Sequence, residues 1–209
     1  MSNWTEFEAE FKIDYLVRRI EHYITERGNS RRTNADITCF LSHSGDDAKE
    51  VTQFARALEV DMRALGIEVE VFNTSDPRYR FDEFKGYRFD ESKDFLKMGD
   101  ALQEILTRPL DALAQYLADN LIGSRFYLLY VTENSIAKRS AWITFEIHMA
   151  RRLAIQSLEG KPLAFIPCVT ASSSFAKLPK LAISFQGIDL ASEPKKLSQE
   201  MARILSHDT

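Results

Sequence analysis

Phe126-Tyr127-Leu128-Leu129-Tyr130-Val131 is the feature of this chain that most restricts its fold. A strand with one face in water alternates apolar and polar residues, so an unbroken run predicts a strand covered on both faces, as in a parallel sheet between two helical layers. Other segments fit that arrangement. Residues 37–41, Ile-Thr-Cys-Phe-Leu, are apolar, partly β-branched and too short for a helix, which makes them a first strand. Ser44-Gly45-Asp46-Asp47 then offers capping and acidic residues for a helix start, and Val51, Phe54, Ala55, Leu58, Met62 and Leu65 form its apolar stripe up to a stop at Gly66. Residues 67–72 give a second strand.

Farther along, Leu102, Ile105, Leu106, Leu110, Leu113, Leu117 and Leu121 keep helical spacing, with Pro109 expected to kink the element or restart it and Gly123 to close it. Residues 142–155 read as a helix, 163–169 as a strand, 182–188 as a weaker strand and 190–205 as a closing helix. Five strands alternating with helices define an α/β fold, and we expect a flavodoxin-like five-stranded parallel sheet with helices on both faces. In such a sheet the site lies beyond the carboxyl ends of the strands, where the strand order reverses, which here is beside the first strand. Upstream, Ile13, Leu16, Val17, Ile20, Tyr23 and Ile24 mark an amphipathic helix over 11–27, and the polar run from Gly28 to Asn34 makes residues 1–35 an appendage to a domain spanning 36–209.

Length and composition agree with one such domain: 209 residues, 44% hydrophobic and 28% charged, with only 6 Pro and 8 Gly, exclude a disordered or low-complexity chain. With 27 Lys and Arg against 31 Asp and Glu the net charge is -4, which gives no electrostatic reason to expect nucleic acid as a partner. Cys39 and Cys168 fall in expected buried strands, without a CxxC or a His at metal spacing, so no disulfide framework and no metal site are expected. No stretch reaches about 18 apolar residues, and the acidic start lacks the pattern of a signal peptide, so we expect a cytoplasmic protein without a membrane segment.

Three places carry candidate chemistry. The loop Ser42-His43-Ser44-Gly45-Asp46-Asp47 sets hydroxyls, an imidazole and a helix start at the expected site, suited to a phosphate or ribose, although Ser44 or Asp46 serving only as a helix cap explains the same residues. Trp142 and Glu146, four apart, share a helix face, and a carboxylate beside an indole loses hydration and should gain proton affinity unless a donor is near. Against this stands a Glu that only lines the domain rim. An insertion over 73–99 interleaves Tyr79, Phe81, Phe84, Tyr87, Phe89 and Phe95 with six acids and six bases, Asp76 among them as a candidate ligand residue. It suits a lid or partner surface, with Arg78, Arg80 and Arg88 either meeting phosphates or pairing internally. There is no GxGxxG after a strand, no GxxxxGK[ST] and no GxSxG. A phosphoryl-receiver domain, suggested by Asp46 and Asp47, fails because Val131-Thr132 supplies no acceptor Asp and the fourth strand no Lys.

Phe40-Leu41-Ser42-His43-Ser44-Gly45-Asp46-Asp47 resembles the first box of Toll/interleukin-1 receptor (TIR) domains. The third strand followed by Thr132-Glu133-Asn134-Ser135, and then Ser140-Ala141-Trp142-Ile143-Thr144-Phe145-Glu146, resembles the family's Ser-x-Trp-x-x-x-Glu block, with the likeness spanning about residues 36–206. The resemblance implies cleavage of the nicotinamide–ribose bond of NAD by hydrolysis or cyclisation, with NAD as substrate and no cofactor, in Thoeris-like anti-phage defence. It implies Glu146 as the catalytic residue, Trp142 shaping the pocket and Ser42, His43 and Ser44 bordering it, with Asp76 as a further substrate-binding candidate. It also implies TIR–TIR self-association and a downstream effector that senses the product. The 73–99 insertion is longer than the family's usual loop there. The alternative of a different class is a non-catalytic TIR adaptor acting through TIR–TIR contacts.

Overall fold

The computed structural model describes residues 37–79, 112–138, 141–155, 163–170, 178 and 180–207. The expected helix over 11–27 with its linker, the region around Pro109 and most of the 73–99 insertion lie outside the described residues. In chain order the elements are β1 (Ile37–Ser42), α1 (Ala48–Ala64), β2 (Val69–Phe72), α2 (Ala112–Ile122), β3 (Phe126–Val131), α3 (Glu133–Lys138), α4 (Ala141–Ile155), β4 (Ala164–Val169), α5 (Lys180–Ile183), β5 (Ile188–Asp189) and α6 (Lys196–Ser206). Single 3-10 turns stand at Gly45–Asp47 and Pro77–Tyr79.

The strands form one parallel sheet in the order β2-β1-β3-β4-β5, which is the flavodoxin-like order. Its central strand is the apolar run from Phe126, buried at every position. Side-chain alternation sends the two halves of that run into separate cores. Tyr127, Leu129 and Val131 join Phe40 and Phe165 beneath α2 and α4, together with Leu117, Leu121, Met149 and Leu153. Phe126, Leu128 and Tyr130 join Cys39, Leu41 and Cys168 beneath α1 and α6, with Val51, Leu58, Met62, Leu197 and Met201. Each such side chain contributes about 1.5–3 kcal/mol on leaving water, so loss of either helical layer exposes a full core.

Two local signals account for where elements stop. Gly66 has φ +77, the Ile67 amide donates to the Met62 carbonyl and the Gly66 amide to that of Arg63, a Schellman ending for α1 that needs the left-handed residue. Pro167 limits the last strand. The Ala164 amide donates to Arg125 and that of Thr170 to Val131, so even-numbered residues of β4 aim their amides at β3, and Pro167 turns its missing donor toward β5. The ladder between β4 and β5 accordingly holds only Cys168–Ile188 and Val169–Asp189.

The expectation of a strand over 182–188 is therefore corrected: Ala182 and Ile183 belong to α5, and only Ile188 and Asp189 pair. The closing helix starts at Lys196 rather than at 190, because residues 190–195 turn first. Both thiols are fully buried and neither is in a disulfide, and burial raises the proton affinity of each. Among the described residues no helix is long and apolar enough to cross a membrane, and no group of three His, Cys, Asp or Glu is placed to hold a metal.

Candidate functional site

The strand order reverses between β1 and β3, so the segments leaving these two strands define the crevice. Ser42, the last residue of β1, follows Phe40 in the alternation and faces α4, where the Ser42 hydroxyl donates to Glu146 Oε2. Glu146 lies in the second turn of α4 and is 7% exposed. Burial pushes its carboxyl up to about 7, against the opposing pull of the Ser42 hydroxyl. The proton affinity is raised even with that donor in place, and burial is the cause.

Tyr127 stands on the same face of β3, next to Phe40 and packed edge-on against Phe165 with ring centroids 4.8 Å apart. Its hydroxyl is fully buried and has no hydrogen-bond partner among the described residues. Burial first, and the nearby Glu146 charge second, push the phenol well above its ordinary range; the Ser42 hydroxyl lies close but outside bonding geometry. Glu146 thus has one donor, from Ser42, and the Tyr127 hydroxyl near it without being bonded to it. The sequence carried a signal for Tyr127, since a hydroxyl inside a doubly covered run must find a partner or leave a polar atom bare.

His43 points the other way and is half-buried. Its Nδ1 lies 3.3 Å from the Leu41 carbonyl and its Nε2 2.6 Å from Ser75 Oγ. Burial lowers the imidazole pKa, opposed by the Leu41 carbonyl and the Asp47 charge. Ser44 is buried, and neither its hydroxyl nor the Asp47 carboxylate caps the helix start. Asp47 instead reaches across the crevice: Oδ2 accepts from Thr132 Oγ1 at 2.6 Å and Oδ1 from Asn134 Nδ2 at 2.8 Å. That pin between the loops after β1 and β3 escaped the sequence reading, because no periodicity links residues 85 apart.

Asp76 has no accessible side-chain surface and is held by the Arg78 amide at 2.9 Å and Nε at 3.0 Å. Burial raises its carboxyl, but the Arg78 hydrogen bonds and charge prevail and hold it below the ordinary range. Arg78 also grips Glu59 on α1, so for this Arg internal pairing describes the structure. Tyr79 packs on Phe72 and donates to Glu70, while Arg80 and the later aromatics lie outside the described residues. Trp142 falls in the first turn of α4, four residues before Glu146, and Ser140 lies outside the described residues. The fold therefore joins Ser42 to Glu146 directly, places His43 and Ser44 in the adjoining loop, and engages Asp76 with Arg78. No family model matches the chain, and no curated protein or solved structure matches it.

Proposed function

We propose that the chain is a TIR-type enzyme that cleaves the nicotinamide–ribose bond of NAD, by hydrolysis or by cyclisation to a cyclic ADP-ribose-type signal, in bacterial anti-phage defence within the cytoplasm. The observation that carries this reading is the Ser42–Glu146 pair, a buried carboxylate at the carboxyl end of β1 with its proton affinity raised to about 7. The likeness of the segments around Ser42 and Glu146 to the two TIR boxes supports it.

The chemistry needs little more. Nicotinamide leaves as a neutral pyridine with the electron pair of the broken C1′–N bond, so no acid is required, and positive charge gathers on the ribose. Glu146, ionised, stabilises that charge at close range in a site of low dielectric. Water then bonds to C1′ and gives its proton to Glu146; in cyclisation a nucleophile of the ADP-ribose itself takes the place of water. Ser42 holds the carboxylate in place, with His43 and Ser44 bordering the ribose and Trp142 shaping the pocket. Self-association and a product-sensing effector belong to the same reading.

The test is release of nicotinamide from NAD by the purified protein at low and high concentration, followed chromatographically beside Glu146→Ala. We expect release that falls on the order of 10³-fold in the variant and that rises with pH through about 7 in the wild type as Glu146 ionises. Equal release by Glu146→Ala would take the catalytic role away from Glu146, and no release by the wild type at either concentration would leave the non-catalytic adaptor or an enzyme awaiting its activator.

A further inference from the structure

The loop after β2 brings a second reactive arrangement to the end of the sheet. The Leu41 carbonyl can only accept, so the His43 Nδ1 lying 3.3 Å from it carries the ring proton. Burial favours the uncharged imidazole, which leaves the Nε2 lone pair facing Ser75 Oγ at 2.6 Å, and the Ser75 hydroxyl is then the donor of that bond. A hydroxyl donating to a neutral imidazole whose far nitrogen is fixed by an acceptor is the arrangement that activates a serine nucleophile, here with a backbone carbonyl in the orienting position.

The loop is built to hold Ser75 still. Its amide donates to Asn73 Oδ1 at 3.1 Å, the Asp76 amide to the Asn73 carbonyl at 3.2 Å, and Arg78 ties Asp76 to Glu59 on α1. Glu59 in turn accepts from the Val71 amide of β2. Ser75 and His43 are both half-buried rather than enclosed. Beside Ser75, Asn73 is fully buried: its Oδ1 accepts from the Ser75 amide, and its Nδ2 has no hydrogen-bond partner among the described residues.

We propose that Ser75 is a nucleophile activated by His43, taking acyl groups from small activated esters. Ser75 Oγ bonds to the carbonyl carbon while its proton passes to His43 Nε2. The alcohol leaves with that proton as the ester C–O bond breaks. Water, giving its proton to the same nitrogen, then cleaves the acyl-serine to the carboxylic acid and returns Ser75. This activity does not rest on the NAD reading and uses neither Glu146 nor Ser42.

The full-length protein is treated with diisopropyl fluorophosphate, which transfers its phosphoryl group to an activated serine with loss of fluoride, and the adduct is located by peptide mass spectrometry. Hydrolysis of p-nitrophenyl acetate is followed in parallel. We expect the adduct on Ser75, and both signals to fall on the order of 100-fold or more in Ser75→Ala and in His43→Gln. The charged group acting on the ring is Asp47, and burial outweighs it, so the wild-type labelling rate should level off above an apparent pKa below 6.5. Absence of a Ser75 adduct at pH 8, or undiminished labelling in a folded His43→Gln protein, overturns the proposal. Should that variant fail to fold, the wild-type profile decides: a rate still climbing in proportion to hydroxide up to pH 9 belongs to an unassisted hydroxyl and overturns it equally.

Discussion

Asp47 and Glu146 are carboxylates of nearly equal burial, 5% and 7% exposed, at the same end of the sheet, and the protein treats them differently. Asp47 receives two side-chain donors, one on each oxygen, from the segment after β3. Glu146 receives one, from Ser42, and lies near the Tyr127 hydroxyl, which no described residue pairs. Burial of an acid is costly in both places. In the first the cost is offset by charge-assisted hydrogen bonds, and the group becomes a pin. In the second it is left standing as raised proton affinity. The number of donors, more than depth, separates a structural acid from one kept ready for chemistry.

Substitutions of opposite sign should expose that contrast. Asp47→Ala removes two hydrogen bonds to a charged acceptor, each of about 1.5–3 kcal/mol, and strands the Thr132 and Asn134 donors. We expect a loss of about 4 kcal/mol in urea unfolding, and a loss under about 1 kcal/mol would erase the distinction. Glu146→Gln should do the reverse. Between pH 4.5 and about 7 the unfolded chain has released the Glu146 proton while the folded one retains it, so stability falls as pH rises through that window. At pH 8 the amide variant should be more stable than the wild type by about 3 kcal/mol, and at pH 4 the two should coincide. Equal stabilities at pH 8 would show that the carboxylate is satisfied after all. Smallest, Tyr127→Phe removes a buried hydroxyl that no group pairs, and should raise stability by about 1 kcal/mol. A loss of that size would mean that the hydroxyl has a partner.

Much of this was legible in the residues. The run Phe126–Val131 appears as a strand with those bounds, and the alternation around it yields the parallel sheet and its two helical layers. Glu146 was placed by its spacing on a helix and by the TIR-like block. The failures have physical causes. Residues 182–188 mix apolar and small residues in a segment short enough for either period, and only its last residue pairs with the strand that carries Pro167. The short helix α3 went unread because six residues carry too few turns for a periodic signal. Ser75 and Thr132 took their importance from bonds to residues 32 and 85 positions distant, and a hydroxyl in a sequence does not announce its partner.

Cys39 on β1 and Cys168 on β4 sit without solvent contact in the core shared by α1 and α6. A sulfur reacts as its thiolate and only when a reagent reaches it, and here burial suppresses both conditions. The two thiols thereby act as built-in clocks for the opening of the sheet. A coloured disulfide reagent added to the native protein should modify them no faster than that core comes apart, so the rate of colour development measures the motion of one layer without any introduced label.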